Sequence, residues 1–158
     1  MNALLVLLAL WPALVFSYPE TPDEAETPGS VCTESDRDFE EYRYEEQIPY
    51  CHRNVSSALK KRVYEWYDIR ESERKHYTID HLIPLSIGGD NDEDNLWPEH
   101  KELKATRPDL EIKLYTALRD GKISQRKAIE RVLEEKFHPF GRAILKKVQG
   151  LLPRLVMP

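Results

Sequence analysis

The sequence predicts an α+β fold, a strand, loop, strand and helix unit embedded in a mainly helical single domain. Three observations point to it. Tyr77 to Leu82 sets Tyr, Thr and Ile ahead of an Asp-His pair and is closed by Pro84, a strand composition followed by a stop. Gly88-Gly89 then supplies backbone freedom for a reversal, and Asn95 to Trp97 resumes extended chain. Around this unit, apolar residues recur at helical spacing in stretches bounded by Ser, Pro and Gly. A chain of 158 residues, 18.5 kDa, is long enough for one core of its own.

Taken in order, Asn2 to Phe16 is almost purely apolar, too short to span a bilayer comfortably, and followed by small Ser17. That predicts a signal peptide over 1–17 with cleavage after Ser17. The expected destination is secreted or periplasmic, with no stable membrane insertion after cleavage. Residues 18–31 are acidic and proline-rich, with little to bury, and predict a disordered linker. Cys32 and Cys51 are the only cysteines, and in an exported chain they are expected to form one disulfide. The chain-entropy model values such a loop at ~3 kcal/mol. The folded domain is expected to run over 32–158.

Asn54-Val55-Ser56 is a glycosylation sequon if the source is eukaryotic. A helix over 56–67 follows from Leu59, Val63 and Trp66, with Lys60, Lys61 and Arg62 on the other side. The central unit occupies 77–106, where Pro98 reads as the first helical residue with Glu99 and Glu102 in the first turn. Leu110, Leu114 and Leu118 with Gly121 as the stop predict a helix over 108–119. Ser124 caps the next, over 125–136, whose apolar face is Ala128, Ile129, Val132 and Leu133. A last short helix is expected over 142–149.

The formal net charge of −5 argues against a polyanion ligand only until it is divided along the chain. Residues 18–51 hold 11 acidic and 2 basic side chains, whereas residues 52–158 hold 17 acidic and 21 basic ones. The basic excess therefore lies with the central unit, and a nucleic-acid footprint is compatible with it.

Within that unit Asp80, His81, Asn95 and His100 stand close in sequence, a carboxylate, two imidazoles and an amide. The mix suits one divalent cation and a general base. Asp90, Asp92 and Asp94 alternate as in an EF-hand loop, but the sixth and twelfth positions are Asn95 and Lys101 where Gly and Glu are needed. Those acids read instead as a solvated loop tip.

The stretch D-H-L-I-P-L-S-I-G-G followed by N-L-W-P resembles the ββα-metal core of the HNH endonucleases. The resemblance implies an exported endonuclease that hydrolyses phosphodiester bonds, with nucleic acid, DNA ahead of RNA, as partner. It implies His81 as general base, Asn95 as loop brace, and Asp80 as a ligand of a divalent ion, Mg²⁺ first and Zn²⁺, Ni²⁺ or Mn²⁺ as alternatives. The third signature position falls on Lys104, which does not ligate, so His100 is expected as the second ligand and Glu99 as the reserve. Lys101, Lys104 and Arg107 are the expected phosphate contacts. The alternative is a non-catalytic module that binds nucleic acid or protein on a degenerate HNH scaffold.

Overall fold

A computed structural model describes residue 19 and residues 21–139. The expected leader over 1–17 and the helix over 142–149 lie outside them. The described chain is α+β, with two small antiparallel sheets and four α-helices. β1 (Phe39–Arg43) and β2 (Ile48–Cys51) form one hairpin, and α1 (Ser57–Trp66) follows. β3 (Tyr77–His81) and β4 (Leu96–His100) form the other, in register from Tyr77 opposite His100 to His81 opposite Leu96. α2 (Lys101–Ala105), α3 (Leu110–Arg119) and α4 (Gln125–Phe137) complete the order.

The helices obey their sequence signals. Ser56 caps α1 by accepting the Leu59 N–H, and Ser124 caps α4 by accepting the Lys127 N–H. Leu114 and Leu118 of α3 meet Ala128 and Val132 of α4 in one apolar cluster with Ile48, Ile83 and Ile87. Val63 of α1 packs with Ile79 and Leu96 in a second cluster, under one face of the β3–β4 hairpin. Trp66, on the stripe expected to be buried, is 38% exposed at the end of α1.

Two expectations are corrected. Pro98 is not the first helical residue. It lies in β4 opposite Ile79, and α2 starts at Lys101 with His100 as its N-cap. Proline is tolerated here because a two-stranded hairpin leaves its outer edge without a ladder to complete. Residues 21–31 are not a free linker. Thr27 is fully buried, its hydroxyl bonded to the Tyr67 hydroxyl (2.6 Å) and to the Leu96 carbonyl (3.1 Å). Gly29 N–H donates to Asp94 O, and Val31 makes a bridge with Gly89. Hydroxyl and backbone bonds, which composition does not reveal, hold the segment down. The β1–β2 hairpin was not foreseen at all.

The Cys32–Cys51 disulfide is present, with Cα atoms 5.7 Å apart. Cys32 N–H also donates to Gly88 O, so the bridge ties β2 to the glycine turn. That turn needs its glycines. Gly88 has φ +92°, and a Cβ on Gly89 would stand 1.9 Å from the Ile83 carbonyl oxygen.

Candidate functional site

The β3–β4 hairpin has two faces of opposite character, because successive strand residues point to opposite sides. Ile79, His81 and Leu96 share one face. Thr78, Asp80, Trp97 and Glu99 share the other. Asp80 and His81 are thus neighbours in sequence that serve different environments.

His81 is 3% exposed, and its Nε2 lies 3.2 Å from Asn91 Oδ1. The orientation of the Asn91 amide is determined by what surrounds it. Its Nδ2 donates to Asp38 Oδ2 (3.1 Å) and to the His52 carbonyl (2.8 Å), both of which only accept. Its Oδ1 therefore faces the imidazole and also accepts the Asn54 N–H (3.2 Å). An amide oxygen cannot donate, so His81 Nε2 carries the proton and Nδ1 holds the lone pair of the neutral ring. Burial pushes the imidazole down to about 4, the charge of nearby Arg53 pushes the same way, and the Asn91 bond and Asp80 oppose them. The ring is neutral at physiological pH.

Asn95 is completely buried and acts as the clamp of the loop. Its Oδ1 accepts the Ile83 N–H (2.8 Å), and its Nδ2 donates to the carbonyls of Ile83 and Asp90 (3.0 Å each). Both ends of the 83–90 loop are gripped by one side chain, which sets where Asn91 emerges beside His81.

On the opposite face Asp80 is engaged by two ammonium groups. Lys104 Nζ donates to Oδ1 (2.7 Å) and Lys136 Nζ to Oδ2 (2.9 Å), while Lys136 also donates to the His81 carbonyl (2.6 Å). Burial works to raise the Asp80 carboxyl, but Lys136 and Lys104 outweigh it and hold it well below the usual carboxylate range. Glu99, 1% exposed, pairs with Arg107 through Oε1, and its Oε2 lies 3.4 Å from Lys104 Nζ. Burial first, and then the Asp80 charge, push Glu99 up to about 7.

The residues named for a divalent ion do not meet. His100 pairs with Tyr77 at the far end of the hairpin, and at about 3.3 Å per residue this places it roughly 10 Å along the strands from Asp80. Its Nδ1 caps α2 by accepting the Glu102 N–H (3.3 Å), and its ring stacks on His76. Glu99, the reserve, does lie beside Asp80, but Lys104 stands against both carboxylates. The donor set Asp80–His100 thus does not fit a single ion. Lys101, Lys104 and Arg107 do come together, around a cavity of about 380 Å³.

Asp90 departs from the solvated loop tip expected of it. It is buried, accepting Ser30 Oγ (2.7 Å) and the Asp92 N–H (3.0 Å). Comparison of the chain with protein families, curated proteins and solved structures finds no match. The candidate site therefore stands on its own geometry.

Sequence reasoning missed Asn91, Arg53, Asp38 and Lys136. Lys136 had a signal, since it continues the Ala128–Val132 stripe by one more step of four, where an apolar residue would be expected. Asn91 had none beyond its place after Gly-Gly-Asp.

The two shifted groups predict a pH dependence. The unfolded chain binds the extra His81 proton between about 4 and 6.5, so that contribution to stability rises with pH across this window. The folded chain holds the extra Glu99 proton between 4.5 and about 7, so its contribution falls as pH rises. From 4.5 to 6.5 the two oppose each other. Glu99→Gln removes the falling one, and the variant is expected to gain stability from pH 4.5 to 6.5 where the parent changes little. Urea denaturation at both pH values checks it; a variant that also stays level would refute the assignment.

Proposed function

We propose that the chain hydrolyses phosphodiester bonds in nucleic acid, DNA ahead of RNA, with His81 as general base. In this reading β3, the clamped loop, β4 and α2 form a ββα core of HNH type. The observation that carries it is the imidazole whose tautomer is set by Asn91, leaving Nδ1 to take a proton from water. Arg53, whose charge acts on His81 and whose guanidinium donates to the Ile79 carbonyl (3.3 Å), is the cation assigned to the phosphate in this reading. A phosphate arriving beside the ring raises its basicity, which offsets the low value that burial imposes. Asn91 and Asn95 are positioning residues. The Cys32–Cys51 bridge supports export to an oxidising compartment, and among the described residues no helix is long and apolar enough to cross a membrane.

The test is nicking of supercoiled plasmid, and degradation of RNA, by the purified chain with Mg²⁺, Mn²⁺, Zn²⁺, Ni²⁺ or a chelator. His81→Ala is expected to lower the rate about 10²–10⁴-fold while circular dichroism stays that of the parent. Intact substrates under every condition would overturn the hydrolytic reading. A second reading, the non-catalytic binding module, is favoured by Asp80, both of whose oxygens are engaged by lysine. It expects His81→Ala to leave nucleic-acid affinity unchanged and the parent to cut nothing.

A further inference from the structure

Charged side chains also gather behind the hairpin, on the face opposite His81. The cavity there is lined by Lys101, Lys104, Arg107 and Lys136, with Glu99 and Glu111 the acids on its wall. The charges are layered. The Asp80 and Glu99 side chains are 10% and 1% exposed, whereas that of Lys104, which contacts both, is 45% exposed. Lys104 thus stands between a buried pair of carboxylates and the cavity, where a bound cation would otherwise neutralise them. An ammonium carries three protons; Asp80 Oδ1 accepts one of them, and Glu99 Oε2, 3.4 Å away, is paired with Lys104 by charge without a hydrogen bond, which leaves protons for a ligand. Glu111, the acid with most exposure here, is itself 3.6 Å from Lys136 Nζ.

A second observation points to the same face. The buried side-chain polar atoms without a hydrogen-bond partner among the described residues are Thr78 Oγ1, Trp97 Nε1 and Glu99 Oε2. The hairpin register puts all three residues on the Asp80 side. Of the three residues Glu99 lines the cavity, so its Oε2 is a buried acceptor that a ligand there would satisfy.

We propose that this cavity is an anion site, built for a phosphate-class oxyanion bound by Lys104 with Arg107 and Lys101 around it, and that Lys104 takes the place of a metal ion at the Asp80–Glu99 pair. Arg107 and Lys136 are anchored by carboxylates beneath, so they enter the site pre-positioned. A hydrogen phosphate brings acceptor oxygens for Lys104 and a P–OH donor for Glu99 Oε2. The site is independent of hydrolysis at His81, which faces the other way.

The experiment uses the full chain with two probes of opposite charge, inorganic phosphate by calorimetry and Mn²⁺ by its electron paramagnetic resonance signal. Saturable phosphate binding is expected, weakened at least about tenfold by Lys104→Met, retained by Lys104→Arg and unchanged by His81→Ala. Mn²⁺ is expected to show no site that Asp80→Asn removes. Phosphate binding indifferent to Lys104→Met, no phosphate binding, or a saturable Mn²⁺ site abolished by Asp80→Asn would each overturn the proposal. Phosphate binding in a chain that cuts no nucleic acid would leave it standing while the hydrolytic reading fell.

Discussion

Lys136→Ala is expected to destabilise the fold by about 3–5 kcal/mol, the cost of removing one partner from a buried ion pair. The Lys136 side chain is 1% exposed, so solvent screens little of the interaction. Its ammonium holds Asp80 Oδ2 at 2.9 Å and the His81 carbonyl at 2.6 Å, and both would lose their donor in the variant. The remaining cation on Asp80, Lys104, is more exposed and engages only Oδ1. Lys136 also anchors α4 to the end of β3, so its loss loosens packing as well as charge. Chemical denaturation measures the change, and a loss below about 1 kcal/mol would mean that the pair is no stronger than a surface one. Asp80→Asn combined with Lys136→Met should recover part of the loss, because it removes the stranded charge along with its partner.

Asn95→Ala is the second large effect. One side chain satisfies the Ile83 N–H, the Ile83 carbonyl and the Asp90 carbonyl, all through a residue with no exposed surface. Each buried group left unpaired costs about 1–3 kcal/mol, so a total of roughly 3 kcal/mol or more is expected. Asn95→Asp keeps the acceptor for Ile83 N–H and loses both donated bonds, setting a carboxylate against two carbonyl oxygens. It should be no milder. The same substitutions release the loop that presents Asn91 to His81, so amide exchange should quicken from Ile83 through Asn91 before it does in α3 and α4. Unaltered exchange there would contradict the clamp.

Much of the central unit was legible. β3, the Gly88-Gly89 reversal, the resumption of extended chain at Leu96 and the stripes of α3 and α4 all rest on composition and period, which act locally. That Asp80 and His81 point to different faces is strand alternation carried unbroken through the end of β3. What escaped depends on pairing at long range. β1 has exposed Glu40, Glu41 and Tyr42 in its middle, so no alternation marks it as a strand, and it forms because β2 pairs with it. The hold on residues 21–31 comes from Thr27 and backbone groups whose partners lie 40 to 69 residues further on. His100 looked like a ligand because it is an imidazole close in sequence. The register of β4 carries it to the opposite end of the hairpin, where capping α2 uses its Nδ1.

The state of the His81 ring is the point on which the functional account turns, and ¹⁵N chemical shifts of the labelled imidazole across pH read it directly. The account predicts a proton on Nε2, a bare Nδ1 at neutral pH, and protonation of the ring only near pH 4. A ring protonated on Nδ1 at neutral pH, or one titrating near 6.5, would contradict it.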